Sequence, residues 1–149
     1  MNADRKIENL LYRYAELIDN GDFEAVARLF EHGAIVAPDG SRRSGYEDVL
    51  AMYREATRIY PDSGTPCTQH ITSNLQINAD ESAGRATVRS CFTVLQALPD
   101  FPLQPIISGR YEDELDCVDG NWRFRTRVML PTLFGDISRH LLFDASRIK

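Results

Sequence analysis

The hydrophobic spacing of this chain changes once, at about residue 67, from a helical period to strict alternation, and that change limits the fold more than any other feature. Ile7, Leu10, Leu11, Tyr14, Leu17 and Ile18 share one stripe of a helix. Asp19, Asn20, Gly21 and Asp22 then supply a break, with Gly21 suited to a left-handed C-cap and Asp22 to the next N-cap. Phe23, Val26, Ala27 and Phe30 make a short second stripe. An apolar run over 33–37, closed by Pro38, Asp39 and Gly40, reads as a small edge strand or hairpin. Tyr46, Val49, Leu50, Tyr53, Ala56 and Tyr60 return to helical spacing and predict a third helix, stopped by the turn-forming segment 61–66.

From Cys67 onward the period is two. In the first run Ile71, Leu75 and Ile77 fall on one face and Thr68, His70, Thr72 and Asn74 on the other, with a turn over 78–84. The second sets Ala86, Val88, Phe92 and Val94 against Arg85, Thr87 and Arg89. The third sets Ile107, Tyr111 and Leu115 against Arg110, Glu112 and Glu114. In the fourth, Trp122, Phe124, Val128 and Leu130 oppose Arg123, Arg125 and Arg127, and Asp119 with Gly120 ahead of it signals a hairpin. The proline-rich stretch 98–105 reads as a loop between strands. After Pro131 the period is lost, and Phe134, Leu141, Leu142 and Phe143 of the tail are expected to dock on the body or on another subunit. Helices followed by long strands predict one α+β domain over 1–149, its helices packed on one side of a mostly antiparallel, strongly bent sheet.

Composition narrows the partners. The 149 residues suit one domain able to bury roughly 68–70% of its unfolded surface, enough for a core with a pocket in it. The net charge is −5 with no dense run of Lys or Arg, which argues against nucleic acid and anionic membrane, since both need a basic face. Cys67, Cys91 and Cys117 form no C-x-x-C pair, so neither a disulfide framework nor a zinc cage is expected, and a reducing, cytoplasmic location is. The N-terminus runs straight into a charged amphipathic pattern, and no stretch approaches the ~18 apolar residues of a membrane span. Nucleotide-binding glycine loops, the G-x-S-x-G elbow and H-E-x-x-H are absent, so no cofactor is expected. His32, His70 and His140 are not spaced as ligands on one element. No metal is expected, and His32 and His140 read as surface or loop residues.

Several segments together carry a resemblance. The end of helix one from Tyr14 to Asp19, the stripe behind it, the run holding Gln69, His70, Asn74 and Ile77, the run holding Gly109, Tyr111 and Asp113, and the hairpin of Asp119, Gly120 and Trp122 resemble the SnoaL-like branch of the nuclear-transport-factor-2-like superfamily. The resemblance spans nearly the whole chain. It implies a cone-shaped α+β barrel, a curved sheet wrapped around three N-terminal helices over an apolar pocket. Dehydratases and a dehydrochlorinase of that superfamily carry an Asp near the end of helix one and a His on the first long strand, and Asp19 and His70 match those positions. Arg127 is similar to an arginine of the dehydrochlorinase, and Tyr14 to a catalytic tyrosine of the bile-acid dehydratases. Where some dehydratases carry a strand carboxylate, this chain has Ser90 or Cys91.

Spacing alone is neutral about these four residues. Asp19 lies about 135° from the centre of its stripe at ~100° per residue, a solvated position in a regular helix. His70 lies on a polar face, Tyr14 inside a core stripe, and Arg127 in a row of arginines that reads equally as a solvated face. The chemistry of the set is nevertheless coherent: an imidazole is a base near neutrality, and a carboxylate on its second nitrogen fixes the tautomer and stabilises the imidazolium. The expectation is a cofactor-independent lyase or isomerase acting on a small hydrophobic, cyclic or aromatic, hydroxylated or carbonyl substrate. His70 is its base, Asp19 the orienting group, Tyr14 the donor to the oxygen, and Arg127 the charge stabiliser. The alternatives are a non-catalytic ligand-binding module and a small assembly subunit of a ring-hydroxylating oxygenase. A homo-oligomer, dimer or trimer, is expected in each case, with Phe92, Ile107 and Phe124 as candidates for an apolar outer face.

Overall fold

In the computed structural model, which describes residues 1–144, the first helix begins where the chain offers a cap. The Asn2 side chain accepts a hydrogen bond from the Arg5 amide at 2.9 Å, and Asp4 sits in the positive first turn of α1 (Ala3–Asp19). Its stripe of Ile7, Leu11, Tyr14, Leu17 and Ile18 is buried. Gly21 ends it at φ +72, and a Cβ there would stand 2.5 Å from the Gly64 carbonyl oxygen, so both the turn and the close approach require glycine. Asp22 accepts from the Ala25 amide at 3.1 Å to open α2 (Phe23–Arg28). β1 (Ala34–Val36) and β2 (Arg42–Ser44) form the small hairpin around Pro38–Gly40, and α3 (Gly45–Ala56) follows.

Four long strands complete the chain: β3 (Thr68–Asp80), β4 (Arg85–Leu98), β5 (Phe101–Val118) and β6 (Asn121–Phe134). They pair antiparallel in sequence order, and β6 pairs in parallel with β1, giving the order β2-β1-β6-β5-β4-β3. The sheet curves around the helices without closing, so the architecture is the expected α+β one, left open between β2 and β3. Asp119 and Gly120, both at positive φ, make the two-residue hairpin between β5 and β6.

Five details differ from the spacing-based expectation. α3 stops at Ala56, because Thr57 bridges to Leu141 of the tail and Tyr60 turns its hydroxyl to the Arg139 carbonyl at 2.5 Å. The proline-rich stretch is mostly strand: only a two-residue turn separates β4 from β5, and the pairing shifts at Val94/Leu95 and Gln96/Leu98 where Pro105 and Pro102 would break a regular ladder.

The other three differences concern facing. In β3 the register slips between Ser73 and Gln76 around Asn74, which sits at φ +56. One extra residue reverses the phase. Thr68, His70 and Thr72 therefore share the inward face with Leu75 and Ile77, and Ile71, expected beside them, is 41% exposed. In β6 the slip at Glu114/Leu115 makes Arg125 the extra residue, so Arg127 follows Phe124 inward while Val128 turns outward. Phe92 and Phe124 are core residues and Ile107 lines an internal cavity, so none of the three forms an outer face. Their phase matches the concave side of the sheet, and among the described residues of the four long strands the exposed large apolar ones are instead Ile71, Leu103, Val118 and Leu133. In the tail, Leu141 and Phe143 dock on the body and Leu142 is exposed.

Candidate functional site

Between the concave face of the sheet, α1, α3 and the tail lies a cavity of about 390 Å³. It falls within the range of small-molecule pockets. Its walls are mostly apolar and aromatic, including Phe92, Val94, Ile107 and Met129; its polar side chains are those of Tyr14, Tyr53, Tyr111, His70 and His140, with Ser41, Arg43 and Thr57 also in the lining. Larger depressions, of about 750 and 610 Å³, run along the outward-facing Glu114, Thr126 and Val128 and lack such walls.

α1 packs along β3, which brings the last turn of the helix against the start of the strand. Asp19 is thereby turned away from solvent and accepts three hydrogen bonds. The His70 amide donates to Oδ2 at 2.7 Å, the Thr68 hydroxyl to Oδ1 at 2.9 Å, and His70 Nδ1 lies 2.6 Å from Oδ1. With a carboxylate as partner, Nδ1 is the protonated nitrogen and Nε2 keeps its lone pair. The side chains of His70 and Asp19 retain 9 and 17% exposure, so the pair is enclosed but reachable.

Tyr14 and Tyr53, from the stripes of α1 and α3, meet through a short hydrogen bond between their hydroxyls. Burial pushes the pKa of each phenol well above its ordinary value, so both remain proton donors; for Tyr14 the neighbouring Tyr53 adds to the rise and Arg127 opposes it. Burial likewise raises Tyr111.

Arg127 does not line the cavity. Its guanidinium lies behind the wall, 3.8 Å from the centre of the Tyr111 ring and 4.3 Å from that of Tyr14. It makes a two-point ion pair with Asp113, at 2.8 Å for both Nε and Nη2. Burial by itself lowers the arginine's pKa, but the Asp113 charge and hydrogen bonds outweigh it and the net direction is upward. The structure thus brings His70 and Tyr14 to one cavity, holds Asp19 against His70 outside the lining, and sets Arg127 one ring's thickness away. At the position of the missing strand carboxylate, Ser90 is buried on the inner side, while Cys91 lies beside Asn74.

Sequence reasoning passed over three groups. Asp113 lies in phase with Tyr111 and Leu115, so a carboxylate on an inward row was the available signal. Tyr53 was readable as core but not as the partner of Tyr14. His140, expected at the surface or in a loop, does lie in a turn of the tail, but it is 8% exposed and lines the cavity. Its pKa is lowered from 6.5 to about 4, mainly by burial and also by His70, with Asp19 acting in the opposite direction. Among the described residues, no group of three or more His, Cys, Asp or Glu side chains is arranged to hold a metal ion, and no helix is long and apolar enough to cross a membrane.

Comparison with known proteins agrees with this fold. The model of the SnoaL-like domain family matches residues 1–128. Among solved structures, a Mycobacterium tuberculosis protein of unknown function is 27% identical at a TM-score of 0.69, covering 85% of this chain and 70% of its own. A candidate scytalone dehydratase from Novosphingobium aromaticivorans is 26% identical at a TM-score of 0.67, covering 89% and 85%. The beta subunit of a candidate aromatic-ring-hydroxylating dioxygenase from the same organism, 17% identical at a TM-score of 0.69 over 93% and 95%, is alike in fold alone. A comparison with curated proteins finds no match.

Proposed function

The chain belongs to the SnoaL-like domain family, and from that premise we propose that it is a cofactor-independent lyase or isomerase acting on a small hydrophobic, cyclic or aromatic, hydroxylated or carbonyl substrate. The observation that carries this reading is the Asp19 carboxylate on His70 Nδ1 at the edge of an apolar cavity. That bond leaves Nε2 as a base facing the ligand.

In the reaction, Nε2 takes a proton from the carbon next to a carbonyl, and Asp19 stabilises the imidazolium. The electron pair moves onto the carbonyl oxygen, which accepts hydrogen bonds from the phenol pair of Tyr14 and Tyr53. For a β-hydroxy ketone the pair then returns to form the new carbon–carbon double bond. The C–O bond breaks, and the departing hydroxyl leaves as water with the proton carried by His70. For an isomerase the proton returns to another carbon. Arg127 acts through the rings of Tyr14 and Tyr111, as a fixed positive charge that favours negative charge on the phenol pair and its ligand. The candidate scytalone dehydratase among the structural neighbours supports the lyase form.

The test is turnover of 3-hydroxy-1-tetralone, which loses water to give fluorescent 1-naphthol. His70→Ala is expected to lower the rate by roughly 10²–10⁴-fold, the usual contribution of a general base. Full turnover by His70→Ala ends the proposal, while binding without turnover by the unaltered protein leaves only a binding module.

A further inference from the structure

His140 lines the cavity, yet the reaction above does not use it, and its surroundings are built. Its main chain is locked on both sides: the Arg58 amide donates to its carbonyl at 2.9 Å, and its own amide donates to Ile137 at 3.1 Å. The preceding carbonyl, of Arg139, accepts from the Tyr60 hydroxyl at 2.5 Å and from the Gln96 side chain at 3.2 Å. Gln96 is itself buried, and it also donates to Pro66, tying β4, the loop after α3 and the tail together at this point. The clamp fixes an imidazole in the wall of the cavity that His70 also lines.

The ring bears a cost that its packing does not explain. Nδ1 is sealed from solvent without a hydrogen-bond partner. A leucine of similar volume would meet no such penalty, about 1–3 kcal/mol for an unsatisfied buried polar group. A lone pair left unpaired is tolerated better than a buried N–H with no acceptor, so the sealed Nδ1 is the unprotonated nitrogen. The proton is then on Nε2, the one ring nitrogen left to a ligand. Burial keeps this ring neutral while Asp19 holds the other histidine ready to accept a proton. Two histidines in different surroundings thus suit two tasks, donor and base.

We propose that His140 is a ligand-recognising residue of this cavity, its Nε2–H donating a hydrogen bond to a ligand oxygen beside His70, distinct from the oxygen met by Tyr14 and Tyr53. This rests on the reading of the cavity as a substrate site and adds a requirement for a second oxygen. It also assigns the neutral imidazole to binding rather than to proton transfer.

Binding of two ketones tests it on a His70→Ala background, where the proposed base is gone and a protein with no dehydratase activity still reports on His140. The probes are 1-tetralone and 3-hydroxy-1-tetralone, titrated calorimetrically. The ratio of their dissociation constants is expected to shift against the hydroxy ketone by roughly five- to tenfold in His140→Phe, the scale of one neutral hydrogen bond. In His140→Gln, whose amide can place a donor near the position of Nε2, the ratio is expected to stay close to that of the background. A ratio that His140→Phe leaves within twofold, or no measurable binding of the hydroxy ketone, overturns the proposal. The imidazole ¹⁵N spectrum of the unaltered protein is a check that needs no variant. His140 is expected as a neutral ring protonated on Nε2 at pH 6–8, and an Nδ1–H tautomer or an imidazolium there overturns the proposal as well.

Discussion

Two carboxylates on the concave side of this protein each hold a nitrogen base, under opposite conditions. Asp113 grips Arg127 with two hydrogen bonds where the side chains keep 0 and 1% exposure, surrounded by the rings of Tyr14, Tyr111 and Phe124. Asp19 grips His70 through one ring nitrogen and the backbone amide, with 17 and 9% exposure and a cavity on the far side of the ring. The sealed pair has no route for a proton or a ligand, so it can only hold structure and field in place. The open pair has a free lone pair and a way in. Burial and base type together, more than hydrogen-bond length, separate an architectural ion pair from one suited to chemistry.

Asp113→Ala strands a buried guanidinium and is expected to cost about 3–5 kcal/mol in urea unfolding, whereas Asp113→Leu with Arg127→Met is expected to recover most of it. A single-variant loss below about 1 kcal/mol would put the pair in the class of surface contacts.

Next in size is the acid limit set by His140, which is buried like the sealed pair yet lines the open cavity. Its pKa is lowered on folding, from 6.5 to about 4, so the neutral form is favoured by the fold. The stability it contributes is fully present above pH 6.5, falls as pH drops through that window, and is lost below 4, a total of about 3 kcal/mol at most. His140→Leu is expected to flatten this part of the pH dependence of the urea midpoint, and an unchanged slope would show that the ring is solvated.

Asp19→Asn sharpens the other side. It is expected to cost less than about 1.5 kcal/mol in stability, since the pair is partly exposed, while lowering turnover of the hydroxy ketone roughly 100-fold through loss of the Nδ1–H tautomer and of charge stabilisation. A large stability loss with little change in rate would reverse the roles assigned to the two pairs.

Tyr53→Phe is expected to have the smallest effect on turnover and to cost about 1–2 kcal/mol in stability, for leaving the Tyr14 hydroxyl without its protein partner. Turnover should fall with it, and a rate independent of Tyr53 would remove the phenol pair from the reaction.

Much of the architecture was legible because it is local. The stripe from Ile7 to Ile18, the break at Gly21 and the four alternating runs depend on residues within one element, and the structure realises them. The candidate site was legible only in part. Resemblance, not spacing, singled out Asp19 and His70, because a residue 135° off a helix stripe looks solvated until a strand packs beside it. Tyr14 could be read as core, but its hydroxyl partner comes from a helix 39 positions away.

What the sequence determined by itself is therefore the class of fold and the inventory of chemistry: three amphipathic helices, then long strands, with a handful of titratable groups among apolar ones. Which way those groups face was decided in three dimensions. A single extra residue in β3 turns Ile71 out and keeps His70 in, and another in β6 turns Arg127 under the tyrosines. A bulge is a mismatch between two strands, and alternation within one strand carries no record of it. The same holds for His140, which reads in the sequence as a surface or loop residue and which Gln96, Tyr60 and Arg58, distant in sequence, lock into the cavity wall.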